Sequence, residues 1–186
     1  LGMGDTDFWV PPEKAGRLAA VYGPVEEAPQ PDRRRREARP AGLKVIEASA
    51  GSPYLAQRGF KSGGGGLVST IDDYYRFAQM LLNKGEYNGR RLLARRTVEL
   101  ITSNQIGELD LDKNKFGLGF QITTEEGQAQ LGVSEGSFSW GGYYGTAYWA
   151  DPKERLVGLI FLQQYPLSHG EIADKFKAMV YQALTD

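Results

Sequence analysis

A chain of 186 residues with 41% hydrophobic residues is long enough for one globular domain, or for a large piece of a two-lobed one. Its 22 basic and 23 acidic residues leave a formal net charge of -1, too weak a field to select nucleic acid or an acidic membrane as partner. The absence of Cys excludes disulfides and thiolate chemistry, and no apolar run reaches the length of a membrane span.

The chain opens on Leu1-Gly2-Met3-Gly4, with neither an initiator Met nor the pattern of a signal peptide, and is expected to be a fragment of a longer protein whose compartment stays open. Residues 12 to 22 read as a short helix with Pro12 in its first turn, where a missing N–H costs nothing. From Gly23 to Pro53 the prolines 24, 29, 31, 40 and 53 predict a long surface excursion with a short strand at Leu43 to Ile46. Arg33 to Arg36 stand among Glu26, Glu27, Asp32 and Glu37, the pattern of a solvated, partly self-neutralised loop rather than of an anion site.

Gly63 to Gly66 lack the Gly-Lys-Ser/Thr or complete GxGxxG that a phosphate loop requires. They lead instead into a helix capped by Ser69 or Thr70, with Asp72 or Asp73 in its first turn. Ile71, Tyr74, Ala78, Leu81 and Leu82 would form its apolar face, and Gly85 would end it. Asn88-Gly89 is a turn, and Arg96 to Ser103 a second helix with Val98 and Ile101 inward.

The β-rich part begins near Phe116. Phe116, Leu118, Phe120 and Ile122 alternate with Gly117, Gly119 and Gln121, the period of a half-buried strand. Further strands are expected at Ala129 to Val133, Tyr144 to Ala150 and Leu156 to Gln163, the last apolar enough for the middle of a covered sheet. Asp151-Pro152 reads as a hairpin turn, and Tyr148 and Trp149 point to opposite faces. His169 to Leu184 form an amphipathic helix with Ile172, Phe176, Met179, Val180 and Ala183 on its apolar side.

The chemistry legible in the residues alone is sparse. The only histidine, His169, reads as a cap or exposed loop residue, so no metal site is expected, and no motif asks for a cofactor. Ser137-Phe138-Ser139-Trp140-Gly141 approaches a nucleophile elbow but has Ser in place of the first Gly and no following helix. No serine has Lys three places on, and there is neither Y-x-N nor S-x-N.

Four phrases in series, LGMGDT, SGGGGLVSTIDDYYRFAQMLLNKG, FGLGF and WGGYYGTAYWADPKERLVGLIFLQQ, resemble the serine β-lactamase and penicillin-binding-protein-like hydrolases of the class C type, in particular their esterase branch. The resemblance covers Leu1 to Leu184. It implies an α+β fold, β-lactamase/transpeptidase-like, with an antiparallel sheet flanked by helices and part of a helical lobe. Residues 1–115 would belong to that lobe, with the long 23–53 loop, and 116–186 would be the last strands and terminal helix. The family's S-x-x-K helix and Y-x-N loop would lie before Leu1, so the nucleophile is absent from this chain and its N-terminal part is the expected partner.

By the same resemblance Trp140, Gly141 and Gly142 replace the family's K-T-G, and the backbone N–H of Tyr143 supplies one arm of the oxyanion hole. Glycine at 141 and 142 leaves room for a substrate acyl group against the strand. Without Lys at position 140 a neutral ester, amide or peptide substrate is favoured over a β-lactam. Two other readings stand beside this: a catalytically inactive penicillin-binding-like protein holding peptide or cell wall in the same cleft, and an independent β-rich binding module. Read without the resemblance, the aromatic residues of this stretch are sheet packing and its glycines a bulge.

Overall fold

The computed structural model describes residues 1–25, 42–57, 59–167 and 171–185. Arg33 to Arg36 and His169 lie outside them. Its centre is an antiparallel sheet in which β5 (Lys115–Phe116), β6 (Gln121–Ile122), β7 (Phe138–Gly141), β8 (Ala147–Asp151) and β9 (Leu156–Ile160) neighbour one another in chain order. Helix α1 (Ile71–Leu82) packs against β8 and β9, and α4 (Ile172–Gln182) against β9.

Alternation along β8 decides which face meets which helix. Tyr148 turns toward α1, with its ring 4.7 Å from that of Tyr74, while Trp149 turns the other way and meets Phe176 of α4 at 5.7 Å. Both aromatics are therefore structural. Met80, Leu81, Val98, Phe120, Ile122, Phe138 and Ala150 form the core on the α1 side. Opposite Trp149, β9 carries Gly158, where any side chain would drive into the indole.

Helix α1 starts where its sequence allows. The Thr70 side chain accepts the Asp73 N–H, a cap worth about 1 kcal/mol. Beyond Leu82 the chain leaves the helix through Asn83, Lys84 and Gly85, whose φ of +95° and 2.8 Å bond from its N–H to the Met80 C=O close the end. Asp73 also has a tertiary role: it is buried and accepts from the Asp5 N–H at 2.7 Å and the Thr6 hydroxyl at 3.1 Å, tying the first residues of the chain to the helix. Ile71 and Tyr75 stay exposed, whereas Met80 is buried. Hairpin β3 (Glu86–Tyr87) and β4 (Arg90–Arg91) turns at Asn88-Gly89, and α2 (Arg95–Ile101) buries Val98.

Several expected elements differ. The helix at 12 to 22 is a 3-10 segment of Pro12–Arg17, after which β1 (Val21–Pro24) pairs antiparallel with β2 (Leu43–Glu47), because Val21 and Tyr22 find a partner strand. The single strand over 116 to 122 is a hairpin: Gly117 N–H reaches the Phe120 C=O at 2.7 Å, and Gly119 takes a φ of +96°. Its two-residue period is that of two short arms meeting at a turn. The strand at 129 to 133 is helix α3 (Glu125–Leu131), capped by Thr124 and ended by Gly132 at a φ of +70°.

Strand β9 is an edge among the described strands rather than a central one, and Met179 on α4 is 68% exposed. Among the described residues no helix is long and apolar enough to cross a membrane.

Candidate active site

The stretch Trp140 to Thr146 forms the end of the β7–β8 hairpin. Gly142 N–H donates to the Thr146 C=O at 2.7 Å, and Gly145 N–H to the Gly142 C=O at 3.0 Å. These bonds leave a three-residue loop, Tyr143-Tyr144-Gly145, with its last residue at a φ of +87°. Gly145 is required twice over, since a Cβ there would also lie 2.9 Å from Leu167 Cδ1 and 3.3 Å from Leu162 Cβ.

The register fixes where the strand's peptide groups point. Gly142 bonds to β8, so in an antiparallel ladder Trp140 and Phe138 do so too, while Ser139 and Gly141 face β6. The last pair between β6 and β7 is Gln121 with Ser139. Gly141 consequently presents its N–H and C=O on a side that β6 has already left. Among the described residues the Tyr143 N–H, one step beyond Gly142, makes no hydrogen bond.

The two glycines differ in their surroundings. A Cβ at Gly141 would meet nothing nearer than the Thr146 C=O at 3.5 Å, whereas one at Gly142 would collide with Thr146 Oγ1. Trp140 shares the α1 face with Tyr148, rests edge-on against Phe116 at 4.9 Å, and is 44% exposed. The Tyr143 ring is exposed and lies parallel to Tyr165, with centroids 4.5 Å apart. Tyr165 carried no distinguishing motif in the sequence.

The two serines of the elbow-like stretch do not form a site. Ser137 is fully buried and its Oγ has no hydrogen-bond partner among the described residues, while Ser139 pairs across the strands with Gln121 and Trp149. Tyr74 and Tyr148 pack ring against ring, 4.7 Å apart. Burial pushes both phenols up from their ordinary value, and for Tyr148 the neighbouring Tyr74 adds to it, so both remain neutral packing groups.

Asp151, expected to serve only as a turn residue, is a buried hub. Its Oδ1 accepts from the N–H groups of Lys153 at 2.9 Å and Glu154 at 3.1 Å, and its Oδ2 from Ser134 N–H at 3.2 Å and the Tyr181 hydroxyl at 2.6 Å. A cavity of about 350 Å³ lies apart from these residues, between the N-terminal segment and the start of α1. Among its charges Lys14 and Arg17 pair with Asp5, while Asp7 pairs with Lys61 outside the lining. Lys14 and then Arg17, bonded to Asp5, hold that carboxyl below its usual value.

The family model named Beta-lactamase matches residues 1–181. The chain belongs to the Beta-lactamase family. Protein Rv1367c of Mycobacterium tuberculosis is 31% identical over 182 residues, which cover 89% of this chain and 41% of that protein. Simvastatin synthase (LovD) from Aspergillus terreus superposes with a TM-score of 0.74 at 21% identity, over all of this chain and 48% of its own. EstCE1, described as a hydrolase with promiscuous acyltransferase activity, gives 0.73 at 22% identity over 97% and 47%. A penicillin-binding protein homologue from Caulobacter crescentus gives 0.62 at 18% identity over 97% and 48%.

The fold is thus β-lactamase/transpeptidase-like, helices with an antiparallel sheet, present in part. This Beta-lactamase family chain spans about two fifths of the curated relative and about half of each solved structure.

Proposed function

We propose that this chain is the downstream portion of an acyl-serine hydrolase of the class C type and esterase branch, acting on a neutral ester or amide through a serine outside this chain. The observation that carries the reading is the unbonded Tyr143 N–H at the head of an open glycine strand, Gly141-Gly142. Membership of the Beta-lactamase family and a fold neighbour described as a hydrolase with acyltransferase activity support it.

In the proposed reaction that geometry is used as follows. Serine Oγ from the missing part bonds to the substrate carbonyl carbon, and the carbonyl π pair moves onto oxygen. The Tyr143 N–H and the serine's own N–H receive that oxyanion, and loss of one such donor costs about 3–4 kcal/mol in the transition state. Collapse expels the alcohol or amine, which takes the proton given up by the serine. Water oxygen then bonds to the acyl carbon, and collapse of this second oxyanion, held by the same donors, breaks the bond to serine Oγ, which takes water's proton as the acid leaves.

Within this chain, Gly141 and Gly142 let the acyl group lie against the backbone, and Trp140 forms an apolar wall beside it. With indole in place of a cation, that wall offers a substrate carboxylate no charge partner. The chain by itself is expected to be inactive.

Labelling the protein encoded by the whole gene with a fluorophosphonate, followed by peptide mass spectrometry, tests the proposal. An adduct on a serine upstream of Leu1 is expected. An adduct on Ser137 or Ser139, or none on a folded protein, overturns it, and the latter leaves a binding relative without catalysis.

A further inference from the structure

The loop that presents the Tyr143 N–H is held from outside its own hairpin. Beyond the two bonds within the turn, the segment after β9 contributes a hydrogen bond from Gln164 N–H to the Tyr144 C=O at 3.0 Å. It also contributes the Tyr165 ring, stacked on Tyr143 at 4.5 Å with an interplanar angle of 20°.

Tyr165 is in turn anchored by β1. Its N–H donates to the Tyr22 C=O at 2.8 Å, and the Tyr22 N–H donates to the Gln163 C=O at 2.9 Å. Close approach is possible because residue 23 is glycine: a Cβ there would stand 2.9 Å from the Tyr165 carbonyl oxygen and 2.8 Å from Ile46 Cγ2. The chain of contacts runs from the paired strands β1 and β2 through the Tyr165 backbone to its ring, and from that ring to the loop.

We propose that Tyr165 is a positioning residue, which holds the Tyr143 loop so that its N–H is aimed at the reacting carbonyl oxygen before substrate arrives. This rests on the acyl-serine reading and deepens it. Tyr143 is 70% exposed, and among the described residues its ring meets the rings of Tyr165 and Tyr144. Removing the Tyr165 ring leaves Tyr143 its edge-on contact with Tyr144, 5.4 Å away, and leaves the loop its backbone bonds, so the Tyr143 peptide, whose N–H makes none of them, is expected to lose its brace. An oxyanion donor acts through preorganisation, so a donor that must be ordered during the reaction loses rate and not substrate affinity.

The test uses the protein encoded by the whole gene, with p-nitrophenyl acetate as substrate and with Tyr165→Ala, Tyr165→Leu and Tyr165→Phe variants. The expected result is a kcat about tenfold lower in the Ala and Leu variants, with KM within about twofold, and recovery in Tyr165→Phe, which keeps the stack. Deuterium uptake of a peptide spanning 142–146 should rise in the Ala and Leu variants and not in the Phe variant. Should Tyr165→Ala fail to fold, Tyr165→Leu, which keeps apolar bulk, carries the comparison.

Wild-type hydrolysis with unchanged kcat in folded Ala and Leu variants overturns the positioning role alone. Equal losses in the Phe and Ala variants overturn it too, by assigning the effect to the hydroxyl. A wild-type protein that neither hydrolyses the ester nor takes a fluorophosphonate overturns the acyl-serine reading, and the positioning role falls with it.

Discussion

The Tyr181 hydroxyl of α4 donates a 2.6 Å hydrogen bond to Asp151 Oδ2 at the end of β8, joining the terminal helix to the sheet through a carboxylate with no solvent exposure. Burial alone would raise the Asp151 carboxyl, but the Tyr181 hydroxyl and then the Glu154 and Ser134 donors outweigh it and hold it below its ordinary value. A carboxyl depressed in the folded state stabilises the protein above its unfolded value of about 3.9 and loses that contribution as pH falls through the folded value. Thermal melts between pH 7 and pH 3 should therefore show an acid-side loss that flattens in Asp151→Asn. At pH 7 Tyr181→Phe should cost about 1.5–3 kcal/mol, as a hydrogen bond to a charged group does. Equal acid limbs for the wild type and Asp151→Asn would remove Asp151 from the account.

Gly158 and Trp149 make a second, independent test of the packing. They face each other across β8 and β9, and the position of a Cβ at 158 is already filled by the indole ring. Gly158→Ala should destabilise by about 1–3 kcal/mol, the usual cost of overpacking. Combined with Trp149→Phe, the alanine should cost less than in the wild-type background, a non-additivity visible in a double-mutant cycle of chemical denaturation midpoints. Strict additivity would contradict this packing.

What the sequence made legible follows physical range. Helix α1 was readable because its cap, acidic first turn and terminal glycine lie within a few residues of one another. Helix α3 carries the same local signals, Thr124, Glu125-Glu126 and Gly132, yet four apolar or small residues near Leu131 imitate a strand when read by composition alone. Phe116 to Ile122 matched a strand period because a tight hairpin preserves alternation on both arms.

The candidate site divides in the same way. Trp140, Gly141, Gly142 and Tyr143 stood out as a contiguous phrase, and the loop closed by Gly145 is a local consequence of that phrase. Asp151 and Tyr165 could not be found so. The hydrogen-bond partners of Asp151 include Ser134 and Tyr181, 17 and 30 residues away, and Tyr165 acquires its setting from Tyr22, contacts that composition and spacing do not encode.

The two glycines of the proposed substrate floor separate stability from activity. Gly141→Ala adds a methyl group that meets only the Thr146 C=O at 3.5 Å, an ordinary contact, so the melting temperature should stay close to wild type. By the alternation of β7 that methyl group points to the face opposite Trp140, beside the open strand edge where the acyl group is proposed to lie, and crowding of that edge should lower ester hydrolysis about 10- to 100-fold. Gly142→Ala meets Thr146 Oγ1 and should lower stability as well, with partial relief from Thr146→Ala. Gly141→Ala with unimpaired kcat/KM would remove the strand from the substrate site.

Trp140 is the residue proposed to set the charge preference for the substrate. Its indole is 44% exposed on the α1 face and braced at its edge by Phe116, so Trp140→Phe should keep a wall there and alter kcat/KM for a neutral ester by less than about fivefold. Trp140→Lys replaces the wall with a cation on a flexible stem. A pair of substrates that differ only in a terminal carboxylate, such as the p-nitrophenyl ester of butyrate and the monoester of glutarate, then reports the change. The ratio of kcat/KM values should shift toward the anionic ester by about tenfold, the effect of one charge-assisted hydrogen bond of about 1.5 kcal/mol. The shift should shrink as salt rises if the new ammonium stays solvated. If Trp140→Lys lowers both rates equally, position 140 does not face the acyl end of the substrate, and the charge preference is set elsewhere.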